Sequence, residues 1–156
     1  MTDLAPLISD LQKGSIAKRR AAAAGLGKSR NPGALPALIA ALGDPHPAVR
    51  SEVVQALGRL GDAPAALPPL IRVLGDPEPA VRAAALFALG KIRDPGAVPA
   101  IIPLLKDREI GIRIGAATVL GKLGSPKARG PLEELLRDPF TDVREAAETA
   151  LAHLHA

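Results

Sequence analysis

Hydrophobic residues along this chain recur with helical spacing, in pairs of segments separated by turns. The first segment of a pair places apolar residues at positions i, i+3, i+4 and i+7, which lie on one face of a helix. In one copy these residues are Leu35, Leu38, Ile39 and Leu42. The second segment carries a similar stripe, which consists in the same copy of Val49, Val53, Leu57 and Leu60. The pattern therefore predicts pairs of short amphipathic helices.

The predicted helix pair repeats at a nearly constant period. An arginine near the start of each second segment recurs at intervals of 31, 32, 31 and 31 residues, at Arg19, Arg50, Arg82, Arg113 and Arg144. A lone pair cannot bury its apolar stripe, whereas stacked pairs share a continuous core. We therefore predict a single repeat domain over residues 1–156 with about ten helices. Its five repeats cover approximately 1–30, 31–61, 62–93, 94–124 and 125–156.

A short motif recurs at the junction of the two helices in each pair. Asp-Pro-x-Pro-Ala-Val-Arg occupies 44–50 and 76–82, with looser copies at 107–113 and 138–144, and Ala-Leu-Gly follows it at 56–58 and 88–90. With the Gly/Asp/Pro turns, this motif resembles the HEAT repeat, and in particular the short form named after phycobilisome lyases. The resemblance implies an all-α fold, a right-handed α-solenoid whose concave face is lined by the second helix of each pair. Such repeats occur in bilin-attachment subunits, phycobilisome-degradation factors, scaffolds and designed binders.

The recurring aspartates and arginines of this motif have a structural interpretation. The resemblance to HEAT arrays implies a ladder in which each Asp accepts hydrogen bonds from backbone N–H groups and from an Arg of an adjacent repeat. A carboxylate is favoured there because the start of a helix has spare N–H donors. The alternative is that these arginines clamp a ligand. The ladder residues are Asp44, Arg50, Asp76, Arg82, Asp107, Arg113, Asp138 and Arg144.

Solvent-facing positions of the second helices form the candidate binding surface. They follow the repeat arginine by one, two, five and nine residues, and Phe87 and Ile114 stand where polar residues are usual. Exposed apolar side chains in a groove are typical partner anchors, although Phe87 packed into the core is the alternative. The predicted binding residues are Arg20, Lys28, Glu52, Gln55, Arg59, Ala84, Phe87, Lys91, Ile114, Thr118 and Lys122.

Basic residues at the ends of the second helices form a second feature of this surface. Lys28, Arg59, Lys91 and Lys122 occupy equivalent positions, and His153 continues the row. A cation in the last turn complements the helix dipole, and this interpretation needs no partner. The other hypothesis is that the row recognises an acidic partner, which the net charge of +4 permits.

Composition excludes several kinds of chemistry. The chain has no cysteine and three histidines, and it lacks the His-Glu pairs with which deoxyhypusine hydroxylases, built from similar repeats, hold iron. No phosphate-binding loop or nucleophile–base motif is present. We therefore expect no catalysis, no cofactor and no metal. The apolar stretches are too short for a membrane span, and the start of the chain has no secretory signal pattern, so we expect a cytoplasmic protein, with a monomer favoured.

Three functional hypotheses remain open at this point. The first is a scaffold that binds a protein partner, one with an acidic surface, on the second-helix face. The second is nucleic-acid binding by the basic row, as in HEAT-like alkylpurine glycosylases, although base-stacking aromatics are lacking. The third, suggested by resemblance alone, is a bilin lyase-like accessory subunit.

Overall fold

A computed structural model describes residues 3–61 and 63–155, and all regular structure in these ranges is helical. The ten α-helices alternate between short and long. The first helices of the pairs are α1 (Ala5–Lys13), α3 (Leu35–Ala41), α5 (Ala63–Val73), α7 (Val98–Ile101) and α9 (Arg129–Leu135). The second helices are α2 (Ile16–Ser29), α4 (Pro47–Leu60), α6 (Pro79–Ile92), α8 (Ile110–Leu123) and α10 (Thr141–His155). Short 3₁₀ segments occupy Pro32–Ala34, Pro95–Ala97, Ile102–Lys106 and Pro126–Ala128.

The chain divides into two compact units, Met1–Ile92 and Arg93–Ala156. Unit 1 holds α1 to α6. Within it α4 packs between α2 and α6, and each first helix packs on the second helix of its own pair. Leu26, Leu57 and Leu89 from the second helices, with Leu38 and Leu70 from the first, are fully buried there. The predicted apolar stripes thus form the core of this unit.

Unit 2 holds α7 to α10 and is built on the same plan. The second helices α8 and α10 pack on each other, and α9 packs on α10. Its fully buried residues include Ile101, Leu120, Leu132 and Val143. The arrangement in both units agrees with the all-α prediction, while the single domain over 1–156 and its five repeat bounds stay a prediction.

Close approach of neighbouring second helices depends on glycine. A Cβ atom added at Gly27 of α2 would lie 2.7 Å from Cα of Ala56 in α4, and one at Gly121 of α8 would lie 2.8 Å from Cα of Ala150 in α10. These separations are shorter than any real Cβ contact. The long helices of each unit are therefore held at a distance that admits no side chain at these points.

Pro103 changes the form of the first helix in the fourth repeat. An α-helix requires an N–H at each interior position, and proline has none. Here α7 ends at Ile101, and the chain continues as a 3₁₀ segment over Ile102–Lys106. The first helix of the fourth repeat is consequently four residues long, whereas the corresponding α3 has seven.

Candidate functional site

Arginine–aspartate pairs join neighbouring repeats within each unit. In unit 1, Nε and Nη2 of Arg19 donate to the carboxylate of Asp44 at 2.7 and 3.1 Å. Arg50 binds Asp76 in the same way, at 2.8 and 3.0 Å. In unit 2, Nε of Arg113 lies 2.9 Å from Asp138, and its Nη2 donates to the same carboxylate at 3.4 Å. Each arginine thus reaches the aspartate of the following repeat.

The same residues also stabilise the turn in front of each second helix. Oδ1 of each ladder aspartate accepts the N–H two residues further on, at 2.8 to 3.0 Å. Nη1 of Arg50, Arg82, Arg113 and Arg144 donates to the carbonyl oxygen of the aspartate six residues earlier, at 2.7 to 2.9 Å. Because every nitrogen of the Arg50 guanidinium is engaged, that side chain has little capacity left for a ligand. This geometry favours the structural interpretation of the ladder over a ligand clamp.

Charge and hydrogen bonding shift the acidity of these side chains. Burial alone would raise the pKa of Asp44, but hydrogen bonds from Arg19 and from the N–H of His46 outweigh it and lower that pKa below its ordinary 3.8. Burial would likewise raise the pKa of Asp76. The hydrogen bonds from Arg50 and from the N–H of Glu78 outweigh this effect, so the pKa of Asp76 is lowered. The hydrogen bond to Asp76 raises the pKa of Arg50. Both carboxyl groups therefore stay ionised in the folded protein at pH values low enough to protonate the same groups in the unfolded chain.

The second helices of unit 1 carry most of the predicted binding residues. We call the exposed side of α2, α4 and α6 the unit 1 face. Arg20, Lys28, Arg59, Phe87 and Lys91 are exposed on it, and Glu52, Gln55 and Ala84 are half-buried. The structure places Phe87 at the surface, with 59% of its area exposed, and not in the core. Nζ of Lys91 lies 4.9 Å from the centre of the Phe87 ring, so an apolar patch and a cation adjoin.

Positive charge dominates these three helices. Apart from the repeat arginines, α2, α4 and α6 contain five basic residues and one acidic residue. They are Lys18, Arg20, Lys28, Arg59, Lys91 and Glu52. Arg59 lies 3.4 Å from Oε1 of both Glu52 and Gln55. This ion pair partly neutralises Arg59, the middle one of the three row members in unit 1.

The second helices of unit 2 have a different character. Apart from the repeat arginines, α8 and α10 contain Lys122 against Asp142, Glu145 and Glu148. Ile114 is half-buried, and the hydroxyl of Thr118 donates to the Ile114 carbonyl at 2.9 Å. Lys122 and His153 are exposed, and Nδ1 of His153 lies 2.7 Å from the Thr149 carbonyl oxygen. An excess of basic over acidic residues on the second helices is therefore a property of unit 1.

Two features of unit 2 were not predicted from the sequence. Phe140 is 48% exposed, and its ring centre lies 5.7 Å from the Arg113 guanidinium. It occupies the turn position of His46, Glu78 and Glu109 in other repeats, and this departure was the available signal. The second feature is a cleft of about 610 Å³ between the first helices of the fourth and fifth repeats.

Two further observations concern the described part of the chain. Its histidine, aspartate and glutamate side chains form no group of three or more that is arranged to hold a metal ion. None of the helices within residues 3–61 and 63–155 is both long and apolar enough to cross a membrane.

Comparison with known proteins connects this geometry to solved structures. The chain is similar to a chain in the complex of CpcE and CpcF of phycocyanin lyase from Nostoc sp. PCC7120, with 30% identity and a TM-score of 0.84. The match covers 99% of this chain and 65% of that one, so this chain spans slightly less than two thirds of that chain's length. The likeness supports the short phycobilisome-lyase type of repeat that the sequence predicts.

Two more distant structures share the fold alone. A designed armadillo repeat protein in complex with the peptide (KR)₄ is 21% identical, with a TM-score of 0.74 and coverage of 97% of this chain and 81% of that one. Human deoxyhypusine hydroxylase in complex with glycerol is 18% identical, with a TM-score of 0.55 and coverage of 97% and 84%. These matches confirm the predicted all-α solenoid class.

Sequence comparison gives the family. None of the curated proteins matches the chain at a significant level. The family model for HEAT repeats matches residues 4–79 and 67–152, which together cover most of the sequence. The chain belongs to the HEAT-repeat family.

Proposed function

We propose that this protein is a non-catalytic scaffold that binds an acidic segment of a protein partner on the unit 1 face. The observation that carries the proposal is Phe87, which is 59% exposed beside Lys91 on helices with an excess of basic residues. An aromatic anchor supplies apolar contact area, and nearby cations select the charge of the partner. A cytoplasmic location and a monomeric state stay predictions.

The geometry of the face suits an extended peptide. Lys28, Arg59 and Lys91 end three helices that pack side by side, so their charges are spaced by the separation of the helices. Helices packed in this way lie 8–10 Å apart. Acidic residues at every third position of an extended polyproline II segment would match that spacing, since this conformation has three residues per turn and rises about 3.1 Å per residue, so one side recurs about every 9 Å. The designed armadillo protein, which has a similar fold, is in complex with a peptide. The excess of basic residues on the unit 1 face favours an acidic peptide here.

Replacing Phe87 with glutamate should raise the Kd for the partner roughly thirtyfold. This factor corresponds to a loss of about 2 kcal/mol of binding free energy, which is typical of a hot-spot residue. Partners captured by the wild-type chain from a lysate of its source organism would be identified by mass spectrometry. Their affinities would then be measured by titration calorimetry for wild type and for Phe87→Glu.

Phe140→Glu is the matched control, because it makes the same change at an exposed phenylalanine of unit 2. Binding that survives Phe87→Glu and Arg59→Glu alike would rule out the unit 1 face. Retention on DNA at about 50 mM salt, lost steeply as salt rises, would favour the nucleic-acid hypothesis over a protein partner.

A lyase-like accessory role is the second candidate. It is favoured by the 30% identity to the phycocyanin lyase complex over nearly the whole of this chain. If the chain binds a bilin, mixing the two should shift the visible absorbance of the pigment, because the protein would restrict its conformation. An unchanged spectrum at equimolar and excess protein would remove this candidate and leave the scaffold proposal intact.

A further inference from the structure

The cleft in unit 2 differs from its counterparts in unit 1. We call it the repeat 4–5 cleft, and its volume is about 610 Å³. Clefts at equivalent positions between repeats 2 and 3 and between repeats 1 and 2 measure about 350 and 240 Å³. Ligand sites for small molecules usually span roughly 300–1,000 Å³. We propose that the repeat 4–5 cleft binds a small amphipathic anion, with its apolar body between the walls and its acidic group at Arg137.

The walls of this cleft are apolar. One wall is the 3₁₀ segment, with Ile102, Pro103 and Leu105, and the other is α9, with Pro131 and Leu135. Pro103 occupies the position of Ala40 in the second repeat, and the helix there keeps its α-helical form. The larger cleft is thus lined by the segment that contains Pro103, in which a 3₁₀ turn takes the place of the last α-helical turn.

Two cations stand at this cleft where repeats 2 and 3 have glycine. The residue before the ladder aspartate is Gly43 or Gly75 in repeats 2 and 3, but Lys106 or Arg137 in repeats 4 and 5. Neither glycine has a positive φ, so the backbone does not require glycine at this position. Both cations line the repeat 4–5 cleft.

The other charged groups at the cleft are engaged in contacts. Nζ of Lys106 lies 3.3 Å from Oε2 of Glu134, which joins the two walls across the cleft. Arg113 pairs with Asp138, and Asp107 accepts the N–H of Glu109. Arg137 is exposed and has neither an ion pair nor a hydrogen bond through its side chain in the described part of the chain. It is therefore the cation available to one acidic group of a ligand.

Two dyes with the same aromatic body test the proposal on the full chain. 8-Anilinonaphthalene-1-sulfonate carries one negative charge, and N-phenyl-1-naphthylamine is its uncharged counterpart. When either dye is titrated, ¹H–¹⁵N NMR should show shifted amide signals for the non-proline residues of 102–107 and 132–138. Arg137→Glu should raise the Kd of the sulfonate about tenfold, since an attraction becomes a repulsion, and should change that of the neutral dye less than about twofold.

Arg72→Glu is the matched control, because Arg72 lines the smaller cleft between repeats 2 and 3. It should leave both affinities unchanged. Signal shifts spread over many apolar surfaces, equal effects of Arg137→Glu and Arg72→Glu, or no binding at millimolar dye would each overturn the proposal. Because Arg137 is exposed, its replacement should leave the fold intact. An NMR spectrum of Arg137→Glu that matches the wild type away from residue 137 will show that the variant is folded.

Discussion

Gly27→Val should lower the free energy of unfolding by about 3 kcal/mol, the upper part of the range for overpacked helix contacts. A Cβ atom at this position would lie 2.7 Å from Cα and 2.8 Å from Cβ of Ala56. The Cα atom belongs to the backbone of α4 and cannot rotate away, so α2 and α4 must move apart. Urea unfolding followed by circular dichroism at 222 nm measures the loss.

Gly111→Val provides the matched control for this substitution. Gly111 also lies in a second helix, but nothing stands within 4 Å of a Cβ added there. Valine and glycine differ by only a few tenths of a kcal/mol in helix propensity, with valine the better of the two. Gly111→Val should therefore change stability by less than about 0.5 kcal/mol. Equal losses at the two positions would show that helix propensity, and not the contact with Ala56, governs the result.

Asp76→Ala should lower the free energy of unfolding by about 2 kcal/mol, less than the 3–5 kcal/mol for a fully buried pair. The substitution removes both hydrogen bonds from Arg50 and the acceptor for the N–H of Glu78. The Arg50 side chain is only 15% exposed, so water cannot fully replace its partner. The same urea experiment measures the effect.

Glu134→Ala is the control for the loss of an ion pair. It breaks the contact with Lys106, in which the side chains of Glu134 and Lys106 are 69% and 80% exposed. Exposed pairs contribute roughly 0–1 kcal/mol, so the expected change is small. A loss at Glu134 as large as that at Asp76 would contradict the view that burial gives the ladder pairs their strength.

The effect of Asp76→Ala should also depend on pH. Since the pKa of Asp76 is lower in the folded chain, its contribution is complete above the ordinary value of 3.8. That contribution disappears as the pH falls through the folded pKa, because the unfolded state takes up the proton first. The difference in stability between wild type and Asp76→Ala should therefore be constant near pH 7 and narrow toward pH 3.

Much of the fold follows from the sequence because helical periodicity and a 31-residue repeat are local signals. The exposure of Phe87 was predictable for the same reason, since the number of residues between it and Arg82 determines which side of the helix it lies on. The second helices have an excess of basic over acidic residues only in unit 1, which was equally present in the sequence but emerges only when the helices are compared unit by unit. The repeat 4–5 cleft could not be predicted in this way. Its volume depends on how far the 3₁₀ segment around Pro103 departs from the path of an α-helix, and the periodicity of the sequence does not specify that displacement.

The ladder also bears on how such a chain can change length. Arg50 makes with Asp76 the contacts that Arg19 makes with Asp44, and each aspartate accepts the N–H two residues further on. If the segment from Asp44 to Gly75 were duplicated in tandem, Arg50 and its new copy would therefore each meet an aspartate in the geometry that Arg50 already uses. Growth by whole repeats requires no newly selected contact, whereas an insertion of a few residues within a helix would break the register. Gene duplication and unequal recombination at multiples of this period are thus changes that the fold tolerates by construction.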